Sequence, residues 1–241
     1  MSKETKTCWR DVPVCPSAEE IKAEYEADVV VAGLGYSGIA VARAAAEAGL
    51  KVVAIEKMPR DRYASLGAQV GHINSRFLLD RGIAPVDPLD LFNEMMLRGG
   101  NRANPRLVMR YCRNCGEAFD WFTQPFTEEQ VAQLSILFDP PGKQFTGELG
   151  GQHFWVGTVM FPFMGMGGDF ELTQACLANI DAAQAAGAEI RFGTEAVQLE
   201  KTDGRVTALF ARGEEGLIRI AAKKAVVLAT GDFSANSIPM P

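Results

Sequence analysis

Histidine is nearly absent from this 241-residue chain, which has only His72 and His153. That scarcity excludes a His-rich metal centre and a histidine relay. A basic block is absent too. Lys plus Arg number 24 against 30 Asp plus Glu, a formal net charge of −6, so nucleic-acid binding through phosphates is not expected. No apolar run reaches the roughly 20 residues that a membrane helix needs. The uncharged stretch 29–42 carries three glycines. The first residues, MSKETKTCWRDVPVCPSAEE, contain neither an apolar h-region nor a twin arginine. No signal peptide is therefore expected, and the chain reads as cytoplasmic, without a membrane span. No internal repeat is present. What remains is globular: 47% hydrophobic, 22% charged, 24 Gly and 12 Pro, enough for one large domain or two small ones.

Five cysteines form no even disulfide framework. Cys112 and Cys115 make a C-x-x-C. However, Val108, Tyr111, Cys112, Cys115, Phe119 and Phe122 recur at helical spacing, which puts both thiols on the apolar face of a helix. No second C-x-x-C completes a tetrad, so no metal site is expected.

Ser17 followed by Glu20 reads as a capping box, which predicts a short helix over 17–26. Residues 28–33 read as a buried strand, 37–48 as an Ala-rich helix closed by Gly49, and 51–56 as a second buried strand. This is one βαβ unit. Short helices are expected near 73–80 and 87–98, and a longer one over 105–122. The stretch 123–169 is an irregular aromatic and Gly-rich insertion. A helix follows over 170–186. The remainder is β-rich: 188–192, 196–201 and 206–212 around the hairpin turn Asp203-Gly204, then 217–222 and 225–231. Residues 1–26 read as an N-terminal extension, with 1–16 its one candidate for disorder, and 27–241 as the main domain.

The chemistry sits in Gly33-Leu34-Gly35-Tyr36-Ser37-Gly38, a G-x-G-x-x-G after a strand and at the start of a helix. Gly33 permits the tight turn, Gly35 the approach of a pyrophosphate, and Gly38 close packing of helix on strand. Tyr36 and Ser37 lie between them, where the helix dipole and free N–H groups favour negative charge. Glu56 ends the second strand, 23 residues after Gly33. A carboxylate there accepts hydrogen bonds from an adenosine ribose and repels a 2′-phosphate. Dinucleotide binding follows; NAD or FAD does not.

Four stretches carry a resemblance that separates the two. They are ADVVVAGLGYSGIAVARAAAEAGLKVVAIEK (27–57), SLGAQVGHIN (65–74), GAEIRFGTEAVQLEKTDGRVTAL (187–209) and KAVVLATGDF (224–233). In order and spacing the chain resembles FAD-dependent flavoproteins of the fumarate reductase and succinate dehydrogenase type, which also include 3-ketosteroid dehydrogenases. The resemblance implies an α/β fold, with a Rossmann-like parallel sheet plus an antiparallel β-meander. It implies FAD on Gly33, Gly35, Gly38, Glu56 and Lys57. It also places Ser65, Gly67, Ala68 and Gly71 along the ribityl chain and isoalloxazine, Val197 at the adenine, and Ala229, Thr230 and Gly231 on the phosphate and ribityl side. The activity implied is hydride transfer between flavin and a small organic substrate.

The chain departs from the family in three places. The loop after Glu56 lacks an adjacent glycine pair. Asp232 stands where a second glycine is common, and must face solvent or a donor. Family members continue into a substrate-capping domain, so this chain reads as a truncated or split form, its cap either absent or supplied by a partner chain. The aromatic residues Trp121, Phe126, Phe138, Phe145, Phe154, Trp155, Phe161 and Phe163 are then expected to pack partly against the absent half, leaving an exposed apolar patch. A catalytically inactive FAD-binding fragment and an NAD-dependent dehydrogenase are the alternatives. No catalytic residue is assigned. His72, beside the flavin loop, lacks a visible partner. His153 reads as a loop or strand histidine. Arg102 and Arg106 could anchor an acidic substrate but read as a solvated helix terminus, and Glu117 and Asp120 as a polar face.

Overall fold

The computed structural model describes residues 14–137, 147–149 and 152–232. In chain order the elements are β1 (Ile21–Ala32), α1 (Tyr36–Glu47), β2 (Val52–Ile55), a 3-10 turn (Arg60–Arg62), β3 (Gln69–Gly71), α2 (Arg76–Leu79), α3 (Pro88–Arg98), α4 (Pro105–Thr123), α5 (Glu128–Ala132), β4 (Ser135–Ile136), β5 (Gly147–Leu149), β6 (Gln152–Phe154), β7 (Thr158–Met160), α6 (Leu172–Ala185), β8 (Glu189–Arg191), β9 (Glu195–Thr202), β10 (Arg205–Gly213) and β11 (Gly216–Leu228). They fall into two units, one of 14–64 with 179–232 and one of 65–178.

The first unit is built on a six-stranded sheet of order β8-β2-β1-β11-β10-β9. Strands β8, β2, β1 and β11 pair in parallel, while β11, β10 and β9 form an antiparallel meander. Val30, Val31, Ala32 and all of β2 are buried, as expected for parallel strands covered on both faces. Helix α1 buries Ile39, Ala42 and Ala46 at helical spacing, and Gly49 closes it in the left-handed region at φ +78°. Its buried Arg43 pairs with Glu47 at 2.7 Å and donates to Asn179 on α6 at 2.8 Å.

Two expectations fail in this unit. Residues 17–26 are not a helix: β1 begins at Ile21 and runs 12 residues. The Ser17 amide and hydroxyl do donate to the Glu20 carboxylate, each at 2.8 Å, but as a turn before the strand. Ile21, Ala23 and Tyr25 alternate with exposed Lys22, Glu24 and Glu26, a period of two that outweighs the local cap. The strands expected at 217–222 and 225–231 are one continuous strand, β11. Its parallel register with β1 runs from Ile21↔Leu217 to Ala32↔Leu228, and a bulge between Ala27 and Val29 absorbs the polar Lys223-Lys224 step.

The second unit surrounds a core of Phe77, Leu78, Phe119, Val159, Phe161 and Phe170. Phe126 meets Phe122, Phe161 and Phe170 edge-on, at centroid separations of 5.6, 6.4 and 4.9 Å. The expectation that these aromatics await an absent half is corrected for Phe126 and Phe161, which pack in this unit's own core. Phe163, Met164 and Met166 stay exposed. Phe138, Phe145 and the side chains of His153 and Phe154 lie outside the described residues, as does most of 1–16. The insertion at 123–169 contains α5, opened by a Thr127–Gln130 capping box, and short strands; β3, β7 and β4 pair in that order. Cys112 and Cys115 are buried on the inner face of α4, as their spacing predicts, and Cys115 Sγ accepts from the Ile73 amide at 3.4 Å.

Candidate functional site

In the first unit, the parallel strands β1 and β11 are neighbours in the sheet. The chain leaves β1 toward β2 on one side, and β11 pairs on the other, so the strand order switches here. Open α/β sheets bind ligands outside the carboxyl ends of strands at such a switch. Gly33 adopts φ +91°, and a Cβ on it would stand 2.5 Å from the Ala229 carbonyl oxygen. A Cβ on Gly38 would collide with the Gly33 carbonyl. Both glycines are therefore required by protein packing on protein. Gly35 differs: a Cβ there would meet nothing within 4 Å. The space in front of it is room for a ligand. Gly35 caps α1 without a side-chain hydrogen bond, and the first turn holds no acidic residue, so an anion meets no competing charge.

The loop is held from below. Leu34 is fully buried. Its amide donates to Glu56 Oε2 at 2.9 Å, and its carbonyl accepts from the Tyr63 hydroxyl at 2.7 Å. Glu56 is 9% exposed, and its Oε1 accepts from the Met58 amide at 2.9 Å. A carboxylate offers about four acceptor sites, so two are used and the others can take ligand hydroxyls. The Glu56 carbonyl accepts from the buried Thr194 amide at 2.8 Å, which holds the residue before β9 against the end of β2; Val197, on β9, is 45% exposed. The Ala229 amide donates to the Ala32 carbonyl at 2.8 Å, and Gly231 adopts φ +77°. Lys57, Tyr36, Ser37, Thr230, Gly231 and Asp232 are exposed, the solvent-facing arrangement required of Asp232.

The first unit thus gathers Gly33, Gly35, Gly38, Glu56, Ala229 and Thr230. Sequence reading missed Tyr63, Thr194 and the Arg43–Asn179 pair. Tyr63 lies in an irregular segment with no periodicity to mark it, and only the fold brings its hydroxyl to Leu34.

The flavin-loop residues Ser65, Gly67, Ala68 and Gly71 belong to the second unit. Ser65 and Thr173 exchange hydrogen bonds of 3.1 and 3.3 Å, the Phe161 amide donates to the Ala68 carbonyl at 2.8 Å, and Gly67 adopts φ +118°. The Tyr111 hydroxyl donates to the Gly71 carbonyl at 2.7 Å, and burial pushes Tyr111 up to about 12. His72 has partners that sequence could not reveal. It stacks on Phe119 at 3.9 Å, with Nε2 2.7 Å from the Ser75 hydroxyl and Nδ1 3.3 Å from the Val70 carbonyl. Burial lowers its pKa to about 4. No group of three or more His, Cys, Asp or Glu among the described residues is arranged to hold a metal ion. No helix among the described residues is long and apolar enough to cross a membrane.

A glycine loop at a strand-order switch, a helix start facing open space and a buried carboxylate beside it define a dinucleotide-binding α/β protein. The chain belongs to the FAD-binding domain family, which it matches over residues 28–240. FAD is accordingly its cofactor. Among its relatives, the NADH:fumarate oxidoreductase of Klebsiella pneumoniae (strain 342) is 28% identical over 87% of this chain and 21% of that protein. The fumarate reductase (cytochrome) of Shewanella frigidimarina is 28% identical over 96% of this chain and 39% of that protein. The chain therefore spans about a fifth to two fifths of the length of these curated relatives. Its fold is shared with the 3-ketosteroid-delta4-(5alpha)-dehydrogenase of Rhodococcus jostii RHA1, at a TM-score of 0.66 and 22% identity, over 87% of this chain and 46% of that one.

Proposed function

We propose that this chain is the dinucleotide-binding part of an FAD-dependent oxidoreductase that moves a hydride between flavin and the C–C bond of a small organic substrate. The observation that carries this reading is the open space at Gly35 beside the buried, half-committed Glu56 carboxylate. FAD, when bound, supplies the hydride chemistry. The protein residues bind and orient it. Gly33 and Gly38 set the turn; Gly35, Tyr36 and Ser37 present backbone to the pyrophosphate. Glu56, with Lys57 beside it, accepts from the adenosine ribose hydroxyls. Val197 contacts the adenine through its backbone, and Ala229, Thr230 and Gly231 line the phosphate and ribityl side. Ser65, Gly67, Ala68 and Gly71 follow the ribityl chain and ring. Residues 27–241 act as one FAD-binding domain. The relatives' greater length supports a further share of the substrate site supplied by additional polypeptide, in the same chain or a partner.

The test is the visible spectrum of the purified chain after incubation with FAD and desalting. A retained flavin band is expected. Glu56→Ala should weaken FAD binding by about 1–3 kcal/mol, the usual worth of a charge-assisted hydrogen bond. Unchanged affinity in that variant would mean the ribose is held elsewhere. A folded but colourless wild-type chain would sink the reading.

A further inference from the structure

The exposed side of α4 carries charges that flavin binding does not use. Arg106, Arg110 and Arg113 are all exposed and line one cleft of about 490 Å³ with Phe92 and Met109. Steps of four and three residues align them along one face of the helix, over about 10 Å. None of the three guanidinium groups has a hydrogen bond or ion pair among the described residues, whereas Arg43, Arg60, Arg98, Arg191 and Arg219 are all ion-paired. The row also works against its own helix. Arg106 stands in the first turn, at the positive end of the dipole, and Arg106 and Arg110 are like charges one turn apart. Helix stability does not account for these charges; a ligand of opposite charge would.

We propose that this face docks an acidic helical segment of a partner protein. A lone phosphate or carboxylate reaches one or two of the guanidinium groups. Three carboxylates at helical spacing on one side of a helix reach all three when it lies along α4. An apolar side chain beside them fills the cleft at Phe92 and Met109. Glu117, exposed and next on the same line, repels further carboxylates and so sets how far the segment can slide. In a chain of net charge −6 the row is a stretch of one sign, and an acidic partner is steered toward it. Such docking does not depend on the flavin chemistry proposed above.

The probe is a labelled synthetic peptide with glutamates at i, i+4 and i+7 and a flanking leucine, titrated with the full chain by fluorescence anisotropy. Two controls accompany it: a peptide of the same composition with the glutamates spread around the helix, and inorganic polyphosphate. The patterned peptide should bind about tenfold tighter than the spread one, and weaken about tenfold from low to physiological salt. Arg110→Glu combined with Arg113→Glu should abolish binding. Arg106→Gln should reduce binding while leaving the melting temperature unchanged or higher, which a structural arginine would not do. Equal binding of both peptides, tighter binding of polyphosphate, undiminished binding by the double variant, or no binding of any probe overturns the proposal.

Discussion

Leu34 is held on both sides of its peptide, by Glu56 at the amide and Tyr63 at the carbonyl. Tyr63→Phe keeps the ring and removes the hydroxyl, leaving a buried carbonyl unsatisfied. A stability loss of about 1–3 kcal/mol is expected by thermal melting, together with weaker FAD retention. A melt that falls while FAD affinity holds would assign Tyr63 to the apo fold alone. His72 gives a pH signature. Its folded pKa, about 4, lies below the 6.5 of the unfolded chain because burial disfavours the charged ring. Between those values the unfolded chain binds more protons, so stability is full above pH 6.5 and falls as the pH drops toward 4, by up to about 3 kcal/mol. Denaturant titrations across that range should show the slope, and His72→Asn should flatten it. Neither residue's role was legible in the sequence, because both depend on partners that only folding assembles.

Helices and strands were legible where one period governed them. The α1 and β2 positions follow from an Ala-rich helix between two buried apolar runs. The start of β1 did not, because a real Ser17–Glu20 contact imitates a helix cap while the alternation after it belongs to a strand. The continuity of β11 was hidden by Lys223-Lys224, which sit where the paired strand bulges. The glycine loop separates packing from binding. Gly38→Ala forces a methyl into the Gly33 carbonyl, so a loss of stability together with FAD binding is expected. Gly35→Ala has open space and an extended φ of −69°, so the melting temperature should hold while FAD affinity falls. If Gly35→Ala binds FAD normally in a flavin titration, the pyrophosphate does not approach that residue.

The two units draw on different kinds of sequence information. The first rests on patterns of local period plus one glycine fingerprint, and its fold class could be read directly. The second depends on aromatic residues scattered through an irregular stretch, where nothing in spacing distinguishes a core ring from an interface ring. Phe161 is 2% exposed and joins Phe126 and Phe170. Phe161→Ala should therefore cost about 3–5 kcal/mol in denaturant unfolding, the usual range for emptying a buried ring site. A negligible cost would return the aromatic segment to the role of an interface. The pairing of β1 with β11 has a consequence for synthesis. Ile21 to Ala32 wait for Leu217 to Leu228, with the second unit translated in between. On the ribosome β1 emerges before β11 with one edge unpaired, and Ala229 reaches Gly33 only after the second unit has been translated. The cofactor cradle thus closes only once the residues after the second unit are made. Its folding depends on contact order as well as local propensity, and the nascent β1 edge stays open to aggregation until β11 pairs with it.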